Sequence, residues 1–199
     1  GIFNGGNLIL KNVIVDRNQA NGSFGDGGGI YSDVGGSLTL TDTQVTNNTA
    51  TRIGGGIYSA GTLSVIGTDI TRSDIYGNVA DVGGGLFQRS SQNSLASIKT
   101  TKIRLNRARS TGGGLQNTGN LEILDSVIAS NTATNLAGGL QHQLGTLTLT
   151  RSTISDNETK AGNAGGLYTL GATVTVNSST INNNTASKDG GGIYSFDTT

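Results

Sequence analysis

The side chains able to do acid–base chemistry are scattered. The chain of 199 residues holds 13 acidic and 13 basic residues, one histidine and no cysteine. Paired carboxylates would support glycoside hydrolysis, and acidic calcium ligands beside an Arg or Lys base would support polysaccharide elimination. The acids instead come singly. Asp42 and Asp125 fall in turns, and Asp26 and Asp189 precede glycine-rich corners, where turn chemistry accounts for them. His142 follows Gly138-Gly139-Leu140-Gln141 without a Ser or Cys partner, which predicts a solvent-facing or packed structural role rather than catalysis. Absence of cysteine excludes thiol nucleophiles, disulfides and Cys-based metal sites. Calcium-binding Gly-Gly-x-Gly-x-Asp nonapeptides are absent, and no Gly-Lys-Ser/Thr follows the glycine runs. No catalytic residue, metal site or cofactor is expected.

A basic stretch does concentrate charge. Arg89, Lys99, Lys102, Arg104, Arg107 and Arg109 lie between Asp81 and Glu122 with no acid among them. That leaves seven basic against thirteen acidic residues elsewhere. Such a stretch can dock an anionic glycan or an acidic partner, or it can be a solvated charge run.

The elements that would carry these residues are set by an internal repeat. A Gly-Gly-aliphatic motif recurs at Ile30, Ile57, Leu86, Leu115, Leu140, Leu167 and Ile193, with a mean spacing near 27 residues. In step with it an aliphatic residue precedes by three positions Asn18, Asn48, Asn78, Asn106, Asn131, Asn157 and Asn184. A third column alternates, as in Leu38-Thr39-Leu40 and Leu147-Thr148-Leu149, and blurs around Leu95 to Ile98. Alternation with β-branched residues predicts strands, and the Gly and Asn clusters predict turns. A unit of three short strands cannot bury its apolar side alone. The expected fold is therefore all-β: a right-handed parallel β-helix of about seven coils, three strands per coil, on the order of 30 Å long at the inter-strand spacing. A leucine-rich solenoid would need a helical period, and a propeller blade a longer repeat. Asn in the column is expected to occupy the left-handed corner and to ladder with its counterparts. The paired glycines suit positive φ or close approach of coils.

If the repeating aliphatic faces inward, the next position faces outward. It reads Tyr31, Tyr58, Phe87, Gln116, Gln141, Tyr168 and Tyr194. Such a row can bind sugars or another rod, or it can be an external ladder that stacks on itself.

Composition agrees with a solenoid. Hydrophobic residues are 33% and charged residues 13%, too few for one compact core and too regularly placed for disorder. Net charge is zero, so no nucleic-acid partner is indicated. No apolar run reaches the roughly 20 residues of a membrane helix. Residues 1–199 are read as a single β-helix segment. It starts mid-coil and stops before the next Leu-x-Leu strand, so it is expected to continue into further chain or to stack end to end.

Runs such as Gly27-Gly28-Gly29-Ile30 and Gly190-Gly191-Gly192-Ile193, together with Val45-Thr46-Asn47-Asn48 and Ile181-Asn182-Asn183-Asn184, resemble the GGAI and FxxN motifs of the polymorphic outer membrane proteins. The resemblance spans nearly the whole chain. Here Val or Ile replaces the aromatic of FxxN, and Gly usually replaces the Ala of GGAI. It implies an exported, adhesin-like β-helix of bacterial surface proteins and carries over no catalytic residue. The expected function is a structural or adhesive shaft, extracellular or at the cell surface. Its partners would be other protein subunits, its own continuation or anionic glycans. The alternative is a carbohydrate-active enzyme whose catalytic residues lie largely outside this segment.

Overall fold

A computed structural model describes residues 1–89 and 95–196. The chain winds as a parallel β-solenoid, and strands one coil apart pair in register. The first sheet contains Ile2–Asn4, Ile30–Ser32, Ile57–Ser59, Leu86–Arg89, Leu115–Thr118, Leu140–Gln143, Leu167–Leu170 and Ile193–Phe196. The second holds the five-residue strands, from Asn7–Lys11 through Ser37–Thr41 to Thr173–Asn177. The third runs from Ile14–Asp16 to Thr180–Asn182, through Val45, Ile75, Ile103, Ile128 and Ile154. All pairings are parallel, and the expected stack from Ile30 to Ile193 is continuous. The blurred fourth repeat also keeps register: Ala96 aligns with Leu121 and Ile98 with Ile123.

A fourth sheet adds to the three strands expected per coil. Its strands follow the Asn column and are as short as Thr49–Ala50 or Thr132–Ala133. Ala50, Ala80, Ala108 and Ala133 point inward and are buried. Two residues give too little alternation to register as a strand. The signal was Asn-x-Ala, present after every Asn of the column but Asn157, where Thr159 takes the place.

The core between the sheets is aliphatic. Leu and Ile from equivalent positions stack on one another, so each coil completes the burial of its neighbours. The corners supply what the aliphatic columns cannot, namely partners for backbone polar groups at each change of direction. At the corner after the third sheet, the Asn column makes its ladder. Asn48 Nδ2 donates to Asn78 Oδ1 at 3.1 Å and to the Val15 carbonyl at 2.9 Å, while its backbone N–H donates to Asn78 Oδ1 at 2.9 Å. The pattern continues through Asn106, Asn131, Asn157 and Asn184. The left-handed residue is not this Asn but the one before it: Arg17, Asn47, Gly77, Leu105, Ser130, Asp156 and Asn183 all have φ between 54° and 67°. The corner thus divides its work between neighbours, one bending the chain and the next bonding it.

The glycine pairs serve that ladder. An added Cβ at Gly56 would lie 2.9 Å from Asn78 Cγ and 2.6 Å from the Gly85 carbonyl oxygen. Positive φ falls one residue before each pair, at Gly54 for example, and at Ala137 and Ala164 in two coils. The corner after the second sheet has a Ser/Thr ladder instead: the N–H groups of Thr101, Ser126 and Ser152 donate to the hydroxyls of Ser126, Ser152 and Ser179.

Candidate functional site

The outward column of the first sheet forms two aromatic stacks. Ring centroids are 4.8 Å apart for Tyr31–Tyr58, 5.7 Å for Tyr58–Phe87 and 5.6 Å for Tyr168–Tyr194, with planes within 12° of parallel. Phe3 extends the first stack at 5.5 Å from Tyr31, a member foreshadowed in the sequence only by Gly1-Ile2-Phe3. Gln116 and Gln141 separate the two stacks in register. Outward direction is as expected, but free exposure is not. Tyr58 and Gln141 are buried, and Tyr31, Phe87, Gln116, Tyr168 and Tyr194 are half-buried. In-register pairing forces successive rings face to face, so faces are spent on each other and edges and hydroxyls reach solvent.

The six basic residues do not form one cluster. Arg89 ends a first-sheet strand, Lys99 ends a second-sheet strand, Lys102 and Arg104 lie on the third sheet, and Arg107 and Arg109 on the fourth. Three are engaged. Lys99 pairs with Glu122 at 3.1 Å, Arg109 with Asp81 at 3.1 Å, and Arg104 with Asp74 at 2.7 Å. Arg104 also covers the Tyr76 ring at 4.7 Å. Burial pushes the Asp74 carboxyl up, against the pull of that guanidinium. Part of the irregular stretch, residues 90–94, lies outside the described residues.

The carboxylates are held by local partners. Asp125 takes a bidentate bond from Arg151 at 2.8 and 2.9 Å, which holds its carboxyl below the usual range. Asp42 accepts the Thr68 N–H at 2.7 Å, and this bond and the Thr68 hydroxyl depress its carboxyl too. Asp16 binds the side chains of Asn47 and Thr46. Among the described residues no group of three His, Cys, Asp or Glu side chains could hold a metal ion. No helix there is long and apolar enough to cross a membrane.

His142 sits inside the coil, fully buried, with Nδ1 3.1 Å from Asn117 Nδ2. Burial pushes its imidazole down to about 4, so it is neutral at physiological pH. It belongs to an internal polar column that the periodicity did not reveal: Asn4, Ser32, Ser59, Gln88, Asn117, His142 and Thr169, each two places after the first-sheet aliphatic. Asn4 Nδ2 donates to Ser32 Oγ at 3.0 Å, and Asn117 Nδ2 to the Gly119 carbonyl at 2.9 Å. The amides of the column therefore serve the corner after the first sheet, where Gln88 Nε2 also donates to the Gly61 carbonyl at 2.8 Å.

Residues 42–60 and 178–195 match the Chlamydia polymorphic membrane protein (Chlamydia_PMP) repeat. Each match runs from the corner after the second sheet, through the Asn ladder and glycine pair, into a first-sheet strand. No curated protein and no solved structure matches the chain. The repeats and the coils they build agree, and the chain is a β-helical repeat protein similar to the Chlamydia polymorphic membrane proteins.

Proposed function

We propose that the chain is a shaft segment of a bacterial cell-surface scaffold and that it adheres laterally, through protein or glycan contacts along its sides. The observation that carries this reading is continuity: four parallel sheets run the length of the described coils, with in-register ladders at their corners. Such a body transmits load and spaces other modules while its long faces remain available. The matched repeat, named for membrane proteins, supports the surface location. The enzymatic alternative has less support, because Asp42, Asp74, Asp81, Glu122 and Asp125 are each engaged by a structural partner.

Arg89, Lys102 and Arg107 are the members of the basic coil without an ion pair among the described residues, and they supply its free charge for an anionic glycan. Antibody against the segment should label intact cells of the source organism without permeabilisation. The purified chain should be retained on immobilised heparin and released by moderate salt, with retention reduced by joint replacement of Arg89, Lys102 and Arg107 with Gln. Labelling only after permeabilisation would overturn the surface reading. Unchanged, salt-insensitive retention in the triple variant would remove the basic coil from it.

A further inference from the structure

The turn between the second and third sheets takes two residues on most coils, such as 42–43 and 125–126. After Ile66 the next strand begins only at Asp74, so residues 67–73 form an overhang. It is anchored, not loose. The Asp42 carboxylate accepts the Thr68 N–H at 2.7 Å and its hydroxyl at 2.8 Å, and Asp69 accepts the Thr71 N–H at 2.8 Å and hydroxyl at 2.7 Å. These bonds place Thr71 and Arg72 against the corner of the two preceding coils. Between them lies a groove of about 240 Å3.

Val13 and Ile14 give the groove an apolar side, and Asn12, Gln44, Thr71 and Arg72 give it a polar one. Ile14 is 67% exposed although it lies on an ordered strand. The Arg72 side chain is 62% exposed and touches Asp42 only at 4.0 Å, while the Asp42 oxygens are already taken by Thr68. Its guanidinium therefore has donors to spare.

We propose that this groove binds a single saccharide residue. A sugar ring offers a C–H face and pairs of neighbouring hydroxyls. Val13 and Ile14 suit the first. The planar amides of Asn12 and Gln44 and the fork of Arg72 suit the second, because each holds two hydrogen-bonding groups in fixed geometry. The volume is below the roughly 300 Å3 at which drug-sized pockets begin, which fits one ring. The Asp42 carboxylate beside Arg72 disfavours a bare inorganic anion. The inference rests on the glycan-contact form of the proposed function and requires nothing of the basic coil or the aromatic stacks.

Saturation-transfer NMR of the whole chain with the methyl glycosides of glucose, galactose, mannose and N-acetylglucosamine tests it. At least one glycoside should bind at millimolar concentration. Arg72→Ala and Gln44→Ala should each weaken it about tenfold, the worth of one hydrogen bond to a sugar hydroxyl, without lowering the thermal midpoint. Gln44 lies off the overhang, so its variant keeps the test decisive if Arg72→Ala disturbs the loop. Absence of transfer from all four glycosides, equal binding by both variants, or a response to sulfate alone would overturn the proposal. Heparin retention persisting alongside such a failure would sink the groove and leave the lateral-adhesion reading intact.

Discussion

The amide of Asn106 spends every hydrogen-bonding group it has. Its Oδ1 accepts the backbone N–H and Nδ2 of Asn78, and its Nδ2 donates to the Ile75 carbonyl and to Asn131 Oδ1. Asn106→Ala would leave the buried Asn78 N–H and Ile75 carbonyl of the preceding coil without these bonds, while Asn131 Oδ1 keeps the Asn106 backbone N–H. At about 1–3 kcal/mol for an orphaned buried group, the expected loss is about 3 kcal/mol, read as a lower urea midpoint. An unaltered midpoint would mean the ladder contributes nothing net. His142 gives a separate residue-scale expectation. Its folded value of about 4 lies below the ordinary 6.5, so between those limits the unfolded chain takes up the proton more readily. Its contribution is whole above pH 6.5 and declines as pH falls towards 4, by about 3 kcal/mol in all. Melts at pH 7 and near pH 5 should show a smaller difference in His142→Asn than in the parent chain. Equal differences would place the imidazole in water.

At the scale of the element, corners matter more than strands. The turn into the fourth sheet demands a left-handed residue on every coil, and one coil fills it with Leu105, 54% exposed at φ 55°. A bulky side chain there costs about 1–2 kcal/mol that Asn largely avoids. Its counterparts Asn47 and Asn183 show that the corner accepts Asn. Leu105→Asn should therefore raise stability by about 1 kcal/mol, visible as a higher melting temperature, and a fall would mean that Leu105 packs against something. What the sequence made legible follows the same division. Aliphatic columns recur at every coil and alternate, so Ile30 to Ile193 could be aligned by eye. The internal column through Ser59, Asn117 and His142 keeps its position but changes residue type, from hydroxyl to amide to imidazole, so no periodicity in type exists to find. The groove was illegible for a related reason. Thr71 and Arg72 meet Asn12 and Gln44 only through coiling, and the overhang that brings them there reads in sequence as a mere lengthening of one repeat.

For the whole molecule, stability should add coil by coil. Each strand pairs only with the coils directly before and after it, which makes the rod quasi-one-dimensional. Leu115 and Leu140 occupy the same place on adjacent coils. Excising residues 115–139 removes one complete turn, carrying Asn117 and Asn131 with it. It brings Leu86 against Leu140, Asn106 against Asn157 and Ala108 against Thr159, so the first-sheet aliphatic, Asn and small-residue columns rejoin in register. The shortened chain should fold cooperatively with a β-type circular dichroism spectrum and a lower melting temperature, having lost one inter-coil interface. Excising residues 115–127 instead would set first-sheet strands against third-sheet ones. Leu, Asn and Gly columns would then fall out of step, and an Asn amide would meet aliphatic neighbours that cannot bond it. That deletion should yield insoluble or unfolded protein although it removes fewer residues. If the two deletions proved equally damaging, the energetic unit would not be the coil. If the shorter were the better tolerated, register between columns would not be what holds the shaft together.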